Sequence, residues 1–159
     1  MNDDTKWMRS ALREAAKAAS RGEVPVGAVV VHQGKIISRS YNQVEGKRDA
    51  LAHAEILTLR RAAKKLGRWR LTGCTLYATL EPCAMCAGAL VQSRIDRLVI
   101  ACRDPKFGAC GSIFDITREK RLNHRVEVAE GILAEQSRAL LVNFFRAKRK
   151  HRAERWPSG

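Results

Sequence analysis

The sequence predicts an α/β domain of three layers, with helices on both faces of a mixed five-stranded sheet. Three observations predict it. Strand-like and helix-like stretches alternate along most of the chain. The first two strands are joined by a short polar turn. The 159 residues are enough for one core of this kind and too few for two. No internal repeat, low-complexity segment or linker breaks the pattern. The whole chain, 1–159, is therefore expected to be one domain, with a frayed basic tail from about residue 152.

The elements follow in order. Met8, Ala11, Leu12, Ala15, Ala18 and Ala19 recur at helical spacing between Thr5 and Arg21, with Asp3, Asp4 or Thr5 as candidate caps. Val26–Val31 and Lys35–Tyr41 flank Gln33-Gly34 and read as a β-hairpin. Asn42–Asp49 is polar and reads as a loop. HAEILTLRRAAKKLG reads as a helix that stops at Gly67. Thr75–Thr79 is a strand, Cys83–Gln92 a short helix and Arg97–Ala101 a strand. Arg103–Ser112 is a glycine-bearing loop, and Arg125–Glu130 a strand. A last helix runs from Ala134 to about Lys150, with Leu140, Leu141, Phe144 and Phe145 on one face. Hairpin strands pair antiparallel, and strands separated by helices pair parallel.

Composition narrows the function. Lys and Arg number 30 against 16 Asp and Glu, a formal net charge of +14. A field of that size attracts polyanions. The charge is also clustered, in RRAAKKLGRWR (Arg60–Arg70) and FFRAKRKHRAER (Phe144–Arg155). Clustering favours a nucleic-acid partner over an evenly solvated surface. No apolar run approaches the roughly 18 residues of a membrane span. The opening MNDDTKWMRS has no apolar core of a signal peptide. The expected location is the cytoplasm, without a membrane partner. Five cysteines, an odd number with no export signal, argue against a disulfide framework.

The chemistry sits in LEPCAMCAG, Leu80–Gly88. Pro82 imposes an extended approach to a helix starting at Cys83. A helix N-terminus lowers a thiol's pKa, and Cys83 and Cys86 are spaced to converge there. Alone, the pair is as readily a metal site as it is either of the alternatives, a redox pair or two core thiols, taken together. His53 opens another helix, with Glu55 two residues on. First-turn residues ring the helix axis, so both can flank a site just beyond the terminus. Separately, His53 reads as a cap or core histidine and Glu55 as an acid suited to the helix dipole. Together with Cys83 and Cys86 they make a set. One imidazole and two thiolates give zinc three ligands, and three rather than four is the catalytic pattern. Cys74, Cys102 and Cys110 lack finger or ribbon spacing and read as small core or loop thiols.

His-Ala-Glu followed by Pro-Cys-Ala-Met-Cys matches the zinc deaminase pattern H-x-E…P-C-x-x-C. The likeness extends through EVPVGAV, SYNQ, AHAEI, LYATLEPCAMCAGA, SRI, CRDPKFGACGS, NHRVE and the Phe-Phe pair of the last helix. Over nearly its whole length the chain resembles the bacterial tRNA-specific adenosine deaminases. That resemblance implies a cytidine deaminase-like fold and hydrolysis of the wobble adenosine of a tRNA anticodon loop to inosine. It implies one zinc per subunit on His53, Cys83 and Cys86, with Glu55 as proton shuttle and no organic cofactor. It places Asn42 on the target nucleoside, the Ala54 backbone on the base and Asp104 by the ribose. Lys106, Phe145, Lys148 and Arg149 would meet the anticodon stem-loop. It implies a homodimer whose RNA site is completed across the interface. Asp49-Ala50-Leu51 departs from the Asp-Pro-Thr often found in relatives before the His-Ala-Glu motif.

Two competing readings stand beside this one. A deaminase of free cytosine, cytidine, dCMP or guanine shares the motif but has no need of +14. A non-enzymatic zinc module that binds RNA has no need of Glu55 or of an open fourth position. From its neighbours alone, Asp104 reads as a turn cap or a salt-bridge partner of Arg103.

Overall fold

The computed structural model describes residues 3–155. Five strands form one sheet: β1 (Gly27–His32), β2 (Lys35–Tyr41), β3 (Cys74–Leu80), β4 (Arg97–Cys102) and β5 (Glu127–Glu130). Their order across the sheet is β2-β1-β3-β4-β5. β1 pairs antiparallel with β2 and β3, while β3, β4 and β5 run parallel. This is the mixed sheet expected. Gln33 and Gly34 both have positive φ, 50° and 73°. That is the backbone of a two-residue turn whose twist matches a hairpin.

Helices cover both faces. α1 (Asp4–Ser20) and α5 (Ala134–Arg155) lie on one, and α3 (Ala54–Leu66) and α4 (Ala84–Gln92) on the other. β1 shows the two-residue period that feeds both layers. Ala28 and Val30 join the core beneath α3 and α4, and Val29 and Val31 join the core beneath α1. α1 sits so close that a Cβ on Gly27 would lie 2.1 Å from the Ala11 carbonyl oxygen. Its first residue is tied down as well. The Asp4 carboxylate accepts from the Tyr77 hydroxyl at 2.7 Å and from two Arg97 nitrogens at 2.8 Å each.

Four expectations are corrected. Asn42–Asp49 is not wholly loop. It contains α2 (Val44–Lys47), because the buried Glu23 carboxylate accepts from the Glu45 and Gly46 amides at 2.9 and 2.7 Å. β5 begins at Glu127 rather than Arg125, since the Val126 amide donates to Thr117 in the preceding loop. α5 continues to Arg155, so residues 152–155 are helical rather than frayed, and 156–159 lie outside the described residues. The predicted apolar face of α5 is also only partly covered. Ser137 is its buried residue, and Phe145 is 41% exposed. Gly67 ends α3 in the left-handed conformation, as predicted.

The topology decides where a ligand can sit. β3 and β4 are parallel and end together, Leu80 opposite Cys102. The helices that precede and follow β3 both present their N-termini beyond its carboxyl end. In open α/β sheets that crevice is where ligands bind.

Candidate active site

His53 and Cys83 are the N-caps of α3 and α4, both extended, at φ −72°, ψ 150° and φ −73°, ψ 177°. Each helix therefore starts one residue later than predicted, and each cap side chain is free to turn outward. Cys86 follows in the first turn of α4 and is fully buried. The ligand atoms of His53, Cys83 and Cys86 all lie within 4.8 Å of one another. Nδ1 of His53 is 3.7 Å from Sγ of Cys83 and 3.5 Å from Sγ of Cys86. A tetrahedral zinc with ordinary Zn–S and Zn–N bonds has an S···N edge of about 3.6 Å. The donor set fits zinc in type and in spacing.

Protons are distributed to suit. The Cys83 thiol is pulled down to about 4, first by a hydrogen bond with Cys86 and then by His53. Cys86 is pushed far up by that same bond and by burial. Both sulfurs ligate a cation as thiolates, so binding one would release protons from the pair. His53 is raised by its bond to Cys83, against the effect of burial. Glu55, 4% exposed, is raised chiefly by burial. A carboxyl shifted in that direction holds its proton more readily than a free one, as an acid–base group requires.

These groups open onto a cavity of about 480 Å³, within the size range of small-molecule sites. His53, Glu55, Cys83, Asn42, Asp104 and Lys148 line it. Cys86 and Ala54 are fully buried and do not line it. Asn42 Oδ1 is buried without a protein partner, while its Nδ2 donates to the Val24 carbonyl at 3.4 Å. An adjoining groove of about 720 Å³ holds Lys106, Phe145 and Arg149, with Asp104 and Phe107 shared by both. The predicted residues thus gather in two connected spaces. Cys74, Cys102 and Cys110 are buried elsewhere as free thiols, and burial raises all three, Cys110 to about 12. Asp104 is a turn cap, its Oδ1 accepting from the Lys106 and Phe107 amides at 3.0 and 3.2 Å. Arg103 pairs with Glu130 instead.

Sequence reasoning missed Glu81. This carboxylate is 2% exposed and lines the cavity. It accepts from the amides of Asp104, Cys110 and Ser112 at 3.0, 3.0 and 3.1 Å, and from the Ser112 hydroxyl at 2.5 Å. Burial alone would raise it, but the Ser112 hydroxyl and these amides together hold it below the ordinary carboxyl value. Glu81 ties the loop after β4 to the Pro82-Cys83 turn. A Cβ on Gly108 would come within 2.3 Å of its Cδ, so the loop closes only over glycine.

Residues 2–149 match the model of the MafB19-like deaminase family. The tRNA-specific adenosine deaminase of Bacillus subtilis (strain 168) is 48% identical over 150 residues, covering 94% of this chain and 93% of its own. The chain belongs to the tRNA-specific adenosine deaminase family. Its likeness extends to solved structures. One, from studies of A-to-I editing by tRNA:A34 deaminases at the wobble position, superposes with a TM-score of 0.83 at 43% identity, covering 86% of this chain and 99% of that one. The guanine deaminase of Nitrosomonas europaea is more distant, at TM-score 0.75 and 28% identity over 88% of this chain and 83% of its own. The deaminase superfamily is zinc-dependent, and in this family member the His53, Cys83 and Cys86 group is able to hold a metal. No helix among the described residues is long and apolar enough to cross a membrane.

Proposed function

We propose that the protein hydrolyses the wobble adenosine of a tRNA anticodon loop to inosine, releasing ammonia. One observation carries this reading: a single cavity lined by a three-donor zinc set, a buried carboxylate of raised pKa and a basic rim. His53, Cys83 and Cys86 would hold one zinc per subunit and leave one position open. Zinc bound there supplies the Lewis acidity that makes water nucleophilic near neutral pH. Glu55 takes a proton from the attacking water and delivers it to N1 of adenine as C6 becomes tetrahedral. Glu55 then takes the proton of the new C6 hydroxyl and passes it to the departing amine, so the two protons of water end on N1 and on ammonia and a keto base remains.

The other residues hold the substrate. Asn42, with an unpaired buried oxygen, accepts from the target nucleoside. Ala54 lies at the first turn of α3, where helix amides lack internal partners, and its backbone contacts the base. Asp104 offers the ribose 2′-OH its second oxygen, the first being committed to the turn. Lys106, Phe145, Lys148 and Arg149 meet the anticodon stem-loop. The protein acts on cytoplasmic tRNA, as a homodimer.

The test is incubation with total cellular tRNA, followed by inosine mapping, with Glu55→Ala as control. Inosine should appear at the wobble position of at least one tRNA and be lost in the variant. Equal ammonia release from free guanine, cytidine or adenosine would overturn the RNA reading.

A further inference from the structure

Phe107 is 71% exposed, more than any other large apolar side chain among the described residues. An aromatic ring left in water forgoes the stabilisation that burial gives. A floppy loop would let it fold inward, but this loop is held. The Phe107 amide donates to Asp104 Oδ1, the Gly108 amide donates to the Asp104 carbonyl at 2.9 Å, and Glu81 gathers the Asp104, Cys110 and Ser112 amides. The ring is presented from a fixed backbone.

Its position is specific. Phe107 lines both the cavity that contains Glu55 and the groove that contains Phe145 and Arg149. A chain with one base in the cavity and its neighbour in the groove passes this ring. Lys106, Lys148 and Arg149 stand around the same passage to meet its phosphates. A base swung out of a loop leaves its neighbour without a stacking partner. Aromatic side chains replace that partner at single-stranded sites, with little regard to which base it is.

We propose that Phe107 is the stacking platform for the nucleotide next to the flipped adenosine. The inference rests on the RNA reading above and deepens it. It assigns the rim of the site a base-binding task separate from the chemistry of His53, Glu55 and the thiols.

The experiment pairs protein variants with substrate variants. Phe107→Ala and Phe107→Tyr are assayed on an anticodon stem-loop carrying the intact sequence, or an abasic nucleotide 5′ or 3′ of the adenosine. Phe107→Ala should lose about five- to tenfold in kcat/KM, through KM, with unchanged zinc content and melting temperature. Phe107→Tyr should restore it. One abasic substitution should cost the wild type a similar factor and cost Phe107→Ala nothing further, because the two changes remove one contact. Additive losses at both flanks, or an unchanged KM in Phe107→Ala, overturn the proposal. So does a fall in oligomeric mass in Phe107→Ala by ultracentrifugation, since the ring would then be covered by a second copy. If the wild type deaminates no stem-loop, the RNA reading itself has failed, and this proposal with it.

Discussion

The two ends of α3 differ in everything except the helix that joins them. At the first turn, His53 and Glu55 face the thiols of α4, and Ala54 and Glu55 are buried. At the last turn, Lys64, Lys65, Arg68, Trp69 and Arg70 are exposed. There Arg68 donates to the Arg70 and Thr72 carbonyls, and the guanidinium of Arg70 lies 4.8 Å from the Trp69 ring. Thirteen residues of helix separate them by about 20 Å. Charge alone marks the second end as the functional one, whereas the group able to hold a metal lies at the first. Composition identifies the class of partner. The meeting of two helix N-termini beyond parallel strands identifies the place.

The largest effects belong to the first end. His53→Ala, Cys83→Ala and Cys86→Ala each leave two donors where a stable site needs three or more. Each should lose most of its zinc by metal analysis and fall to background turnover. A chelator should do the same to the wild type and lower its melting temperature, because bound metal stabilises the folded state by mass action. Full zinc retention in all three variants would move the metal elsewhere. Glu55→Gln should keep zinc, fold and RNA affinity while losing roughly 10²–10⁴-fold in kcat, the usual worth of a positioned acid–base group. Near-normal turnover there would assign the proton transfers to another residue.

Glu81 tests how firmly this end is built. Glu81→Gln removes a charge that collects three amides and a hydroxyl, at a cost of about 2 kcal/mol. Its amide NH₂ must also face a backbone donor. KM for RNA should rise more than kcat falls, with zinc retained. The folded-state pKa of Glu81 is lowered, so its contribution to stability is complete above its ordinary value of 4.5. That contribution disappears as pH falls through the lowered value. The melting-temperature gap between wild type and Glu81→Gln should therefore be constant near neutrality and close as the pH falls below 4.5. A gap that widens in acid would mean that folding raises the pKa of this carboxyl instead of lowering it.

What could be read beforehand follows the same division. The hairpin of Val26–Val31 and Lys35–Tyr41, its Gln33-Gly34 turn and the Gly67 stop were legible because local sequence determines them. The metal set was legible because few residue types bind zinc and their caps sit at predictable helix starts. Glu81 was not, although it directly precedes Pro82. Its partners are amides 23 to 31 residues away, and amides leave no mark in a sequence. α2 escaped notice for the same reason, being capped by Glu23 from more than twenty residues upstream. The partial exposure of α5 was hidden too, since periodicity names an apolar face but not what covers it.

The basic end of α5 sharpens the comparison, because it resembles the far end of α3 in composition yet reaches the site. Lys148 lines the cavity and Arg149 the groove. Converting Lys148, Arg149 and Lys150 to Gln should weaken RNA binding and reduce the slope of log K against log salt by up to about 2, at roughly 0.7 per single-strand phosphate contact. Turnover of saturated enzyme should change little. An unaltered slope would remove α5 from the RNA interface.

The smallest effect is expected from Arg60, Lys64 and Lys65, all exposed on α3. Arg61 is best left intact, since it donates to the Arg39 carbonyl at 2.7 Å. These three charges match the α5 set in number and sign, so the two variants differ only in place. The three stand about 10 to 18 Å from His53 along the helix, against a screening length of about 8 Å at physiological salt. At that separation the charges add to the field that draws RNA in but touch no phosphate of the bound loop. Changing all three to Gln should slow association two- to threefold at low salt, about what a modest loss of steering gives, and leave kcat/KM at physiological salt unaltered. The salt slope of equilibrium binding should stay at the wild-type value, because no counterion is released there. Stopped-flow association and binding titrations over a salt series measure both quantities. If the slope instead falls as far as in the α5 variant, phosphates are bound at the far end of α3. The RNA would then extend along the helix layer, and the clustering of charge would have marked a second contact.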